Sequence, residues 1–155
     1  MNKLNILLIL VWIFVISCDY NTDYTNRNKN QKRQFEGFTL ICPQNIKINK
    51  KTPVEDFDIY EFVYDGNIIL SAYVGNQPHF YDNVQETTKI EKGFINGLNF
   101  ESFVSEKSDG PEKKEILIKF SERRDWPNYI HFWYSNLTPE IRKIVEQIIS
   151  STEEI

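Results

Sequence analysis

The sequence predicts an α+β domain in which a mainly antiparallel sheet of about six or seven strands is covered on one face by a C-terminal amphipathic helix. Two observations carry this prediction. Asp65-Gly66 and Asn96-Gly97 each separate two β-rich runs, and isoleucine and valine recur at helical spacing near the C-terminus. Asp-Gly and Asn-Gly between such runs are strong signals of two-residue hairpins. The single globular domain is predicted to span residues 35–155.

The other predicted strands flank these hairpins. A first strand runs from Phe38 to Cys42 and ends at Pro43, and the polar residues that follow are predicted to form a turn. After the second hairpin, apolar and aromatic residues predict strands from Glu115 to Phe120 and from Tyr129 to Tyr134.

The predicted helix begins beside Thr138, which is a suitable N-cap, with Pro139 at the first helical position and Glu140 near the positive end of the helix dipole. Its apolar residues recur at i, i+3, i+4, i+7 and i+8: Ile141, Ile144, Val145, Ile148 and Ile149. Residues 150–155 are predicted to be its frayed end.

The N-terminus is a short apolar segment after one positive charge. Lys3 precedes a run from Leu4 to Ile16 in which Asn5 is the one polar residue. About 13 apolar residues are too few for a spanning helix, which needs about 20. They match the apolar region of a secretory signal peptide.

The end of this run, Val15-Ile16-Ser17-Cys18, resembles the lipobox of bacterial lipoprotein signal peptides. The resemblance implies that residues 1–17 are removed and that the thiol of Cys18 carries diacylglycerol, with acyl chains such as palmitate on the mature protein. Two or more acyl chains give stable attachment to a membrane. The chain is then expected in the bacterial cell envelope, facing the periplasm in a Gram-negative cell. The sequence does not determine whether the inner or the outer membrane holds the anchor.

Residues 18–34 are predicted to be the lipidated cysteine and a flexible polar tether, because positions 19–34 contain no aliphatic residue to bury. The tether carries a net charge of +2, and the residues after it carry a net −7. Basic residues beside the lipid favour anionic headgroups. The acidic domain argues against a nucleic-acid partner, which needs clustered lysine and arginine.

The sequence offers little catalytic or metal-binding chemistry. With Cys18 lipidated, Cys42 has no partner for an internal disulfide and is expected to be a small buried apolar residue. Two histidines and one spare cysteine make no recognisable zinc site. Hydrolase, nucleotide-binding and metalloprotease motifs are absent from the sequence. We therefore expect no cofactor, no metal and no enzymatic activity.

An aromatic, partly polar stripe is the main candidate for a binding site. Tyr129, His131 and Trp133 alternate along the last predicted strand and would face away from the helix. Tyrosine and tryptophan offer a large contact area with a polar group, which suits a ligand or partner. The alternative is that these residues form a second core.

Two further candidates lie in predicted loops. His79 follows a strand, with Asp82 nearby, and is either a base or half of a metal site, or an ordinary polar loop residue. Trp126 is either an anchor for a partner or a side chain folded back over the sheet edge. The carboxylates of Asp56 and Asp58 are expected at a solvated edge, with no catalytic role.

The order of elements from residue 36 to residue 152, with its opening GFTLICP strand and closing helix, resembles the PsbP-like sandwich domain of small bacterial envelope lipoproteins. That resemblance implies binding or assistance and carries over no catalytic residue. The expected function is a non-enzymatic envelope lipoprotein that binds a protein or small ligand near the membrane. The alternatives are a periplasmic immunity protein against a toxin and a small hydrolase-type enzyme that uses His79 or His131.

Overall fold

Ten strands and one helix make up the part of the chain that the structure, a computed structural model, describes: residues 29–54, 56–78, 88–105, 113–121 and 126–155. In chain order they are β1 (Asn30–Gln34), β2 (Phe38–Pro43), β3 (Lys47–Val54), β4 (Phe57–Tyr64), β5 (Asn67–Gly75), β6 (Thr88–Ile95), β7 (Leu98–Ser105), β8 (Lys113–Lys119), β9 (Tyr129–Ser135), α1 (Pro139–Ser150) and β10 (Glu153–Glu154). The predicted class, a mainly antiparallel sheet with a C-terminal helix, is confirmed.

The strands form two antiparallel sheets. The larger sheet has seven strands in the order β3-β4-β5-β9-β8-β7-β6, and the smaller sheet has three in the order β1-β2-β10. β9 is therefore the central strand of the larger sheet and pairs with β5 on one side and β8 on the other.

Both predicted hairpins are present. Asp65 and Gly66 have φ angles of 49° and 78°, and Asn96 and Gly97 have φ angles of 48° and 86°. Positive φ at both central residues is the geometry that matches the twist of the flanking strands. The two turns fix the register of β4 with β5 and of β6 with β7.

The core lies between the larger sheet and a second layer formed by the smaller sheet and α1. We call the face of the larger sheet that packs against this layer the inner face. The fully buried side chains of this core include Phe62, Leu70, Ile118, Ile130 and Phe132 from the larger sheet, with Phe38, Leu40, Val145 and Ile148 from β2 and α1.

The helix begins and ends at identifiable contacts. The Ile141 amide donates to Thr138 Oγ1 over 3.4 Å, as the predicted N-cap requires. At the other end, the Asn96 side-chain amide donates to the carbonyl oxygens of Ser150 and Thr152 over 3.1 and 2.9 Å. The second hairpin turn thus also holds the end of the helix. Within the described ranges, no helix has the length and apolar character needed to cross a bilayer.

Three polar segments form strands that the sequence does not predict. β3 replaces the predicted turn after Pro43, and β10 replaces part of the predicted frayed end. β1 lies within residues 18–34, the segment predicted to be the tether, and its residues 30–34 pair with β2. These strands lie at sheet edges, where backbone pairing leaves polar side chains in solvent. An ion pair of 2.7 Å between Lys32 and Glu153 links β1 to β10.

The placement of the core predicts that two isoleucine variants differ in their free energy of unfolding. Ile148 on α1 is 0% exposed, and Ile68 on β5 is 54% exposed. We expect Ile148→Ala to lower the free energy of unfolding by about 2–5 kcal/mol because it leaves a cavity. Ile68→Ala should change it by less than about 0.5 kcal/mol. Urea denaturation measures both values, and equal losses would contradict the placement of the core.

Candidate binding surface

The two faces of β9 have different environments. Ile130, Phe132 and Tyr134 are buried on the inner face, and the Tyr134 hydroxyl lies 3.3 Å from Glu146 Oε1 on α1. Tyr129 and Trp133 alternate with them and are half-buried on the opposite face, which we call the outer face. The structure therefore places the predicted aromatic stripe on the side of the sheet away from the helix.

His131 is also on the outer face, yet it is only 2% exposed. Tyr73 and Leu117 flank it in register on the neighbouring strands, and the Trp133 ring lies 5.6 Å away between centroids. Its Nε2 lies 2.8 Å from Glu115 Oε2, within ion-pair distance. A general base must come within hydrogen-bond distance of its substrate. The imidazole is therefore enclosed by these neighbours and packs against them on the outer face.

Trp126 is folded against the body of the domain. Its ring packs on the edge of the core, and its Nε1–H donates to the carbonyl oxygen of Asp56 over 3.1 Å. This bond ties the segment before β9 to the turn before β4. This position matches the folded-back interpretation of Trp126, and its role as an anchor for a partner stays a prediction.

Two candidate positions lie outside the described residues. They are Cys18, the predicted lipidation site, and His79, the predicted loop histidine. The described candidates are Trp126 and the three residues of the β9 stripe.

A cleft of about 590 Å³ opens on the outer face between β6 and β9. Its lining includes Phe94, Asn99, Lys119 and Tyr129, which face one another in a single row across four strands. Three strand spacings separate the backbones of Phe94 and Tyr129, a span of about 14 Å. The row therefore has an aromatic ring at each end and polar side chains between them.

The polar side chains of the cleft include two lysines and one glutamate. Lys92 Nζ lies 2.6 Å from Glu101 Oε1, and Lys119 lies on the strand beyond. Phe94 is 72% exposed, the most exposed large apolar side chain among the described residues. Apolar walls with a few placed polar groups are typical of ligand sites of this volume.

Only Tyr129 of the predicted stripe belongs to the cleft. The sequence indicates strands around Phe94 and Lys119 but no binding role for either residue. The alternation of β6 already puts Ile90, Lys92 and Phe94 on one face. The strand order then brings this face to the same cleft as Tyr129, because only β8 and β7 lie between β6 and β9.

A second polar cluster lies on the inner face at the β3 edge. Asp58 is 3% exposed, so the expectation of a solvated edge is wrong for this residue, whereas Asp56 is exposed. Thr52 Oγ1 donates to Asp58 Oδ1 over 2.6 Å, and Lys50 Nζ lies 2.8 Å from Oδ2. The Tyr60 hydroxyl lies 3.4 Å from the same oxygen.

Burial opposes ionisation of Asp58, but the hydrogen bonds from Lys50 and Thr52, together with the Lys50 charge, outweigh it and lower the pKa of the carboxyl group. The same contact with Asp58 raises the pKa of Lys50. Asp58 is thus a buried carboxylate that stabilises the junction of β3 and β4 in its charged form.

Cys42 is fully buried and forms no disulfide. Burial raises the pKa of its thiol to about 11, and the Arg33 guanidinium lowers it only in part. The thiolate is the reactive form of cysteine. At neutral pH Cys42 is therefore an unreactive thiol in the core, as the apolar run around it predicts.

No group of three His, Cys, Asp or Glu side chains is arranged to hold a metal ion in the parts of the chain that the structure describes. Comparison with protein-family models and with curated proteins finds no match for this chain.

The Asp58 cluster predicts how stability depends on pH. Because the pKa of Asp58 is lower in the folded chain, its stabilisation is present above the unfolded pKa of about 3.9 and is lost as pH falls through the folded pKa. We expect Asp58→Asn to lower the free energy of unfolding by about 1–3 kcal/mol at pH 7. Urea denaturation should show a smaller loss at pH 3.

Asp56→Asn is the matched control for this measurement, because Asp56 is exposed two residues away. It should change the free energy of unfolding little at either pH. An equal loss for Asp58→Asn at pH 7 and pH 3 would contradict the role of the charged form.

Proposed function

We propose that this chain is a bacterial envelope lipoprotein, held to a membrane by acyl chains on Cys18, whose domain binds a protein or small ligand through the outer-face cleft. The observation that carries the binding role is the row from Phe94 to Tyr129, in which two aromatic residues stand on strands about 14 Å apart with lysine and amide groups between them. The lipobox resemblance of residues 15–18 supports the anchor.

The chemistry of the cleft favours binding over catalysis. Its described lining contains no histidine, cysteine or serine, and its one glutamate is paired with Lys92. Nucleophilic catalysis needs a nucleophile beside a base. The lysines and Asn99 suit a ligand that presents oxygen acceptors next to an apolar group, because ammonium and amide groups donate to oxygen while the rings cover apolar surface.

We also propose that the domain belongs to the PsbP-like sandwich domains. The antiparallel sheet, the opening GFTLICP strand and the closing helix support this assignment. Such a domain would assist or bind, in agreement with the cleft.

The anchor predicts a specific effect of cysteine substitution. Cys18→Ser should abolish incorporation of radiolabelled palmitate and leave the precursor uncleaved, because the acceptor thiol is gone. Cys42→Ser is the matched control and should label normally, since Cys42 lies outside the lipobox-like segment of residues 15–18. A Cys18→Ser chain that still labels and fractionates with membranes would rule out the lipobox interpretation.

The cleft predicts where a bound molecule can be captured. A photoreactive benzoylphenylalanine at Lys119 should form an adduct in native membranes, whereas the same residue at Lys113 should not. The two lysines share β8 and the outer face, but only Lys119 lines the cleft. Mass spectrometry of the adduct identifies a protein or a small molecule.

Adding Phe94→Ala to the Lys119 probe should reduce the adduct about tenfold or more, because truncation of an aromatic anchor typically weakens binding by at least that factor. Equal capture from Lys113 and Lys119, with no effect of Phe94→Ala, would refute the cleft as the binding site. A captured toxin would make the protein an immunity protein.

A further inference from the structure

The two edges of the seven-stranded sheet differ in how they are protected against pairing with another strand. β3 carries three exposed lysines, Lys47, Lys50 and Lys51, and its register with β4 shifts between Lys51 and Val54. Pro53 also removes one backbone donor from this strand. Lysine, proline and irregular register are the usual devices that block an edge strand.

β6 lacks two of these devices. Its register with β7 is continuous from Thr88 to Ile95, and the strand contains no proline. Ile90 and Phe94 are 52% and 72% exposed on the outer face of the strand. Of the described elements, β7 alone pairs with β6. A regular edge with exposed apolar side chains is able to accept another strand.

The charged side chains of β6 restrict which strand can pair with it. Lys89 and Glu91 flank Ile90, and their side chains lie 2.5 Å apart on the side of the strand opposite Ile90. Lys92 is already paired with Glu101. Opposite charges directly across two strands stabilise pairing, and like charges oppose it.

We propose that β6 pairs with β6 of a second copy of this chain, antiparallel and centred on Ile90. In this register Lys89 faces Glu91 of the partner subunit, Glu91 faces the partner's Lys89, and the two Ile90 side chains meet on the outer face. Centring the pair on Lys89, Glu91 or Lys92 instead sets two like charges opposite each other. Centring it on Gly93 gives no facing pair of opposite charges. The Ile90 register is therefore self-complementary.

The paired stretch runs from Thr88 to Lys92 and does not include Phe94, although Lys92 at its end also lines the cleft. The two outer faces would join into one continuous surface with a cleft on each side of the two-fold axis. Five residues from each copy form a small interface, below the roughly 1,200 Å² of a stable complex. The pairing is accordingly weak in dilute solution. It would be favoured where the proposed anchor concentrates copies on one membrane.

Cysteine pairing in native membranes tests the register. Ile90→Cys in the full chain should give a disulfide-linked product at twice the monomer mass on mild oxidation, because facing residues in an antiparallel pair have Cα atoms about 4.5–5.5 Å apart. Phe94→Cys is the matched control on the same strand and face. Its two copies would lie roughly 27 Å apart along the strand, and it should give no product.

Charge reversal then tests the specificity of the pair, each variant also carrying Ile90→Cys. Lys89→Glu alone and Glu91→Lys alone place like charges across the interface, and each should lose about tenfold or more of the linked product. The two variants expressed together place opposite charges across it again and should restore a mixed dimer. The contact between residues 89 and 91 within one chain cannot explain this rescue, since both residues carry like charges in each variant.

Several outcomes would overturn the proposal. They are no linked product from Ile90→Cys, equal products from Ile90→Cys and Phe94→Cys, a product that contains a different protein, and no mixed dimer from the two charge variants. Palmitate labelling of the Ile90→Cys chain shows separately whether the anchor is present, so failure of the pairing is distinguishable from failure of the proposed anchor.

Discussion

The two-sided environment of the central strand β9 is the constraint on which the rest of the structure depends. Ile130 and Phe132 fill the core on one face, while His131 is enclosed among Tyr73, Leu117 and Trp133 on the other. Because side chains alternate along a strand, a slip of one residue would exchange these two faces. The register of β9 with β5 and β8 therefore fixes the core and the outer face together.

The register of β9 also determines the geometry of the cleft. Its two aromatic ends, Phe94 and Tyr129, belong to β6 and β9, and two intervening strands set their separation through backbone hydrogen bonds. A site built on paired strands is held more firmly than one built on loops. The outer face is thus suited to present a fixed pattern of rings and lysines, and the proposed tether would supply the freedom to reach a partner at the membrane.

Local signals explain what could be predicted from the sequence. Asp65-Gly66 and Asn96-Gly97 specify turns by their own φ angles, and Thr138 with Pro139 specifies the start of α1 within one helical turn. The sequence does not predict β1, β3 and β10, because their side chains are polar and their pairing partners lie elsewhere in the chain. The burial of Asp58 depends on Lys50 and Thr52 from the neighbouring strand, and the cleft depends on the order of four strands. Neither leaves a pattern in any short stretch of sequence.

The central proposal is that the outer face around Tyr129 is occupied when the chain is held to a membrane by the proposed anchor. Hydroxyl-radical footprinting of the full chain measures this most directly, by comparing side-chain oxidation in native membranes with oxidation after purification in detergent. We expect Phe94 and Tyr129 to be protected in the membranes and oxidised after purification, with Ile68 on the β4–β5 turn side of the sheet oxidised equally in both. Equal oxidation of Phe94 and Tyr129 in the two preparations would contradict the account.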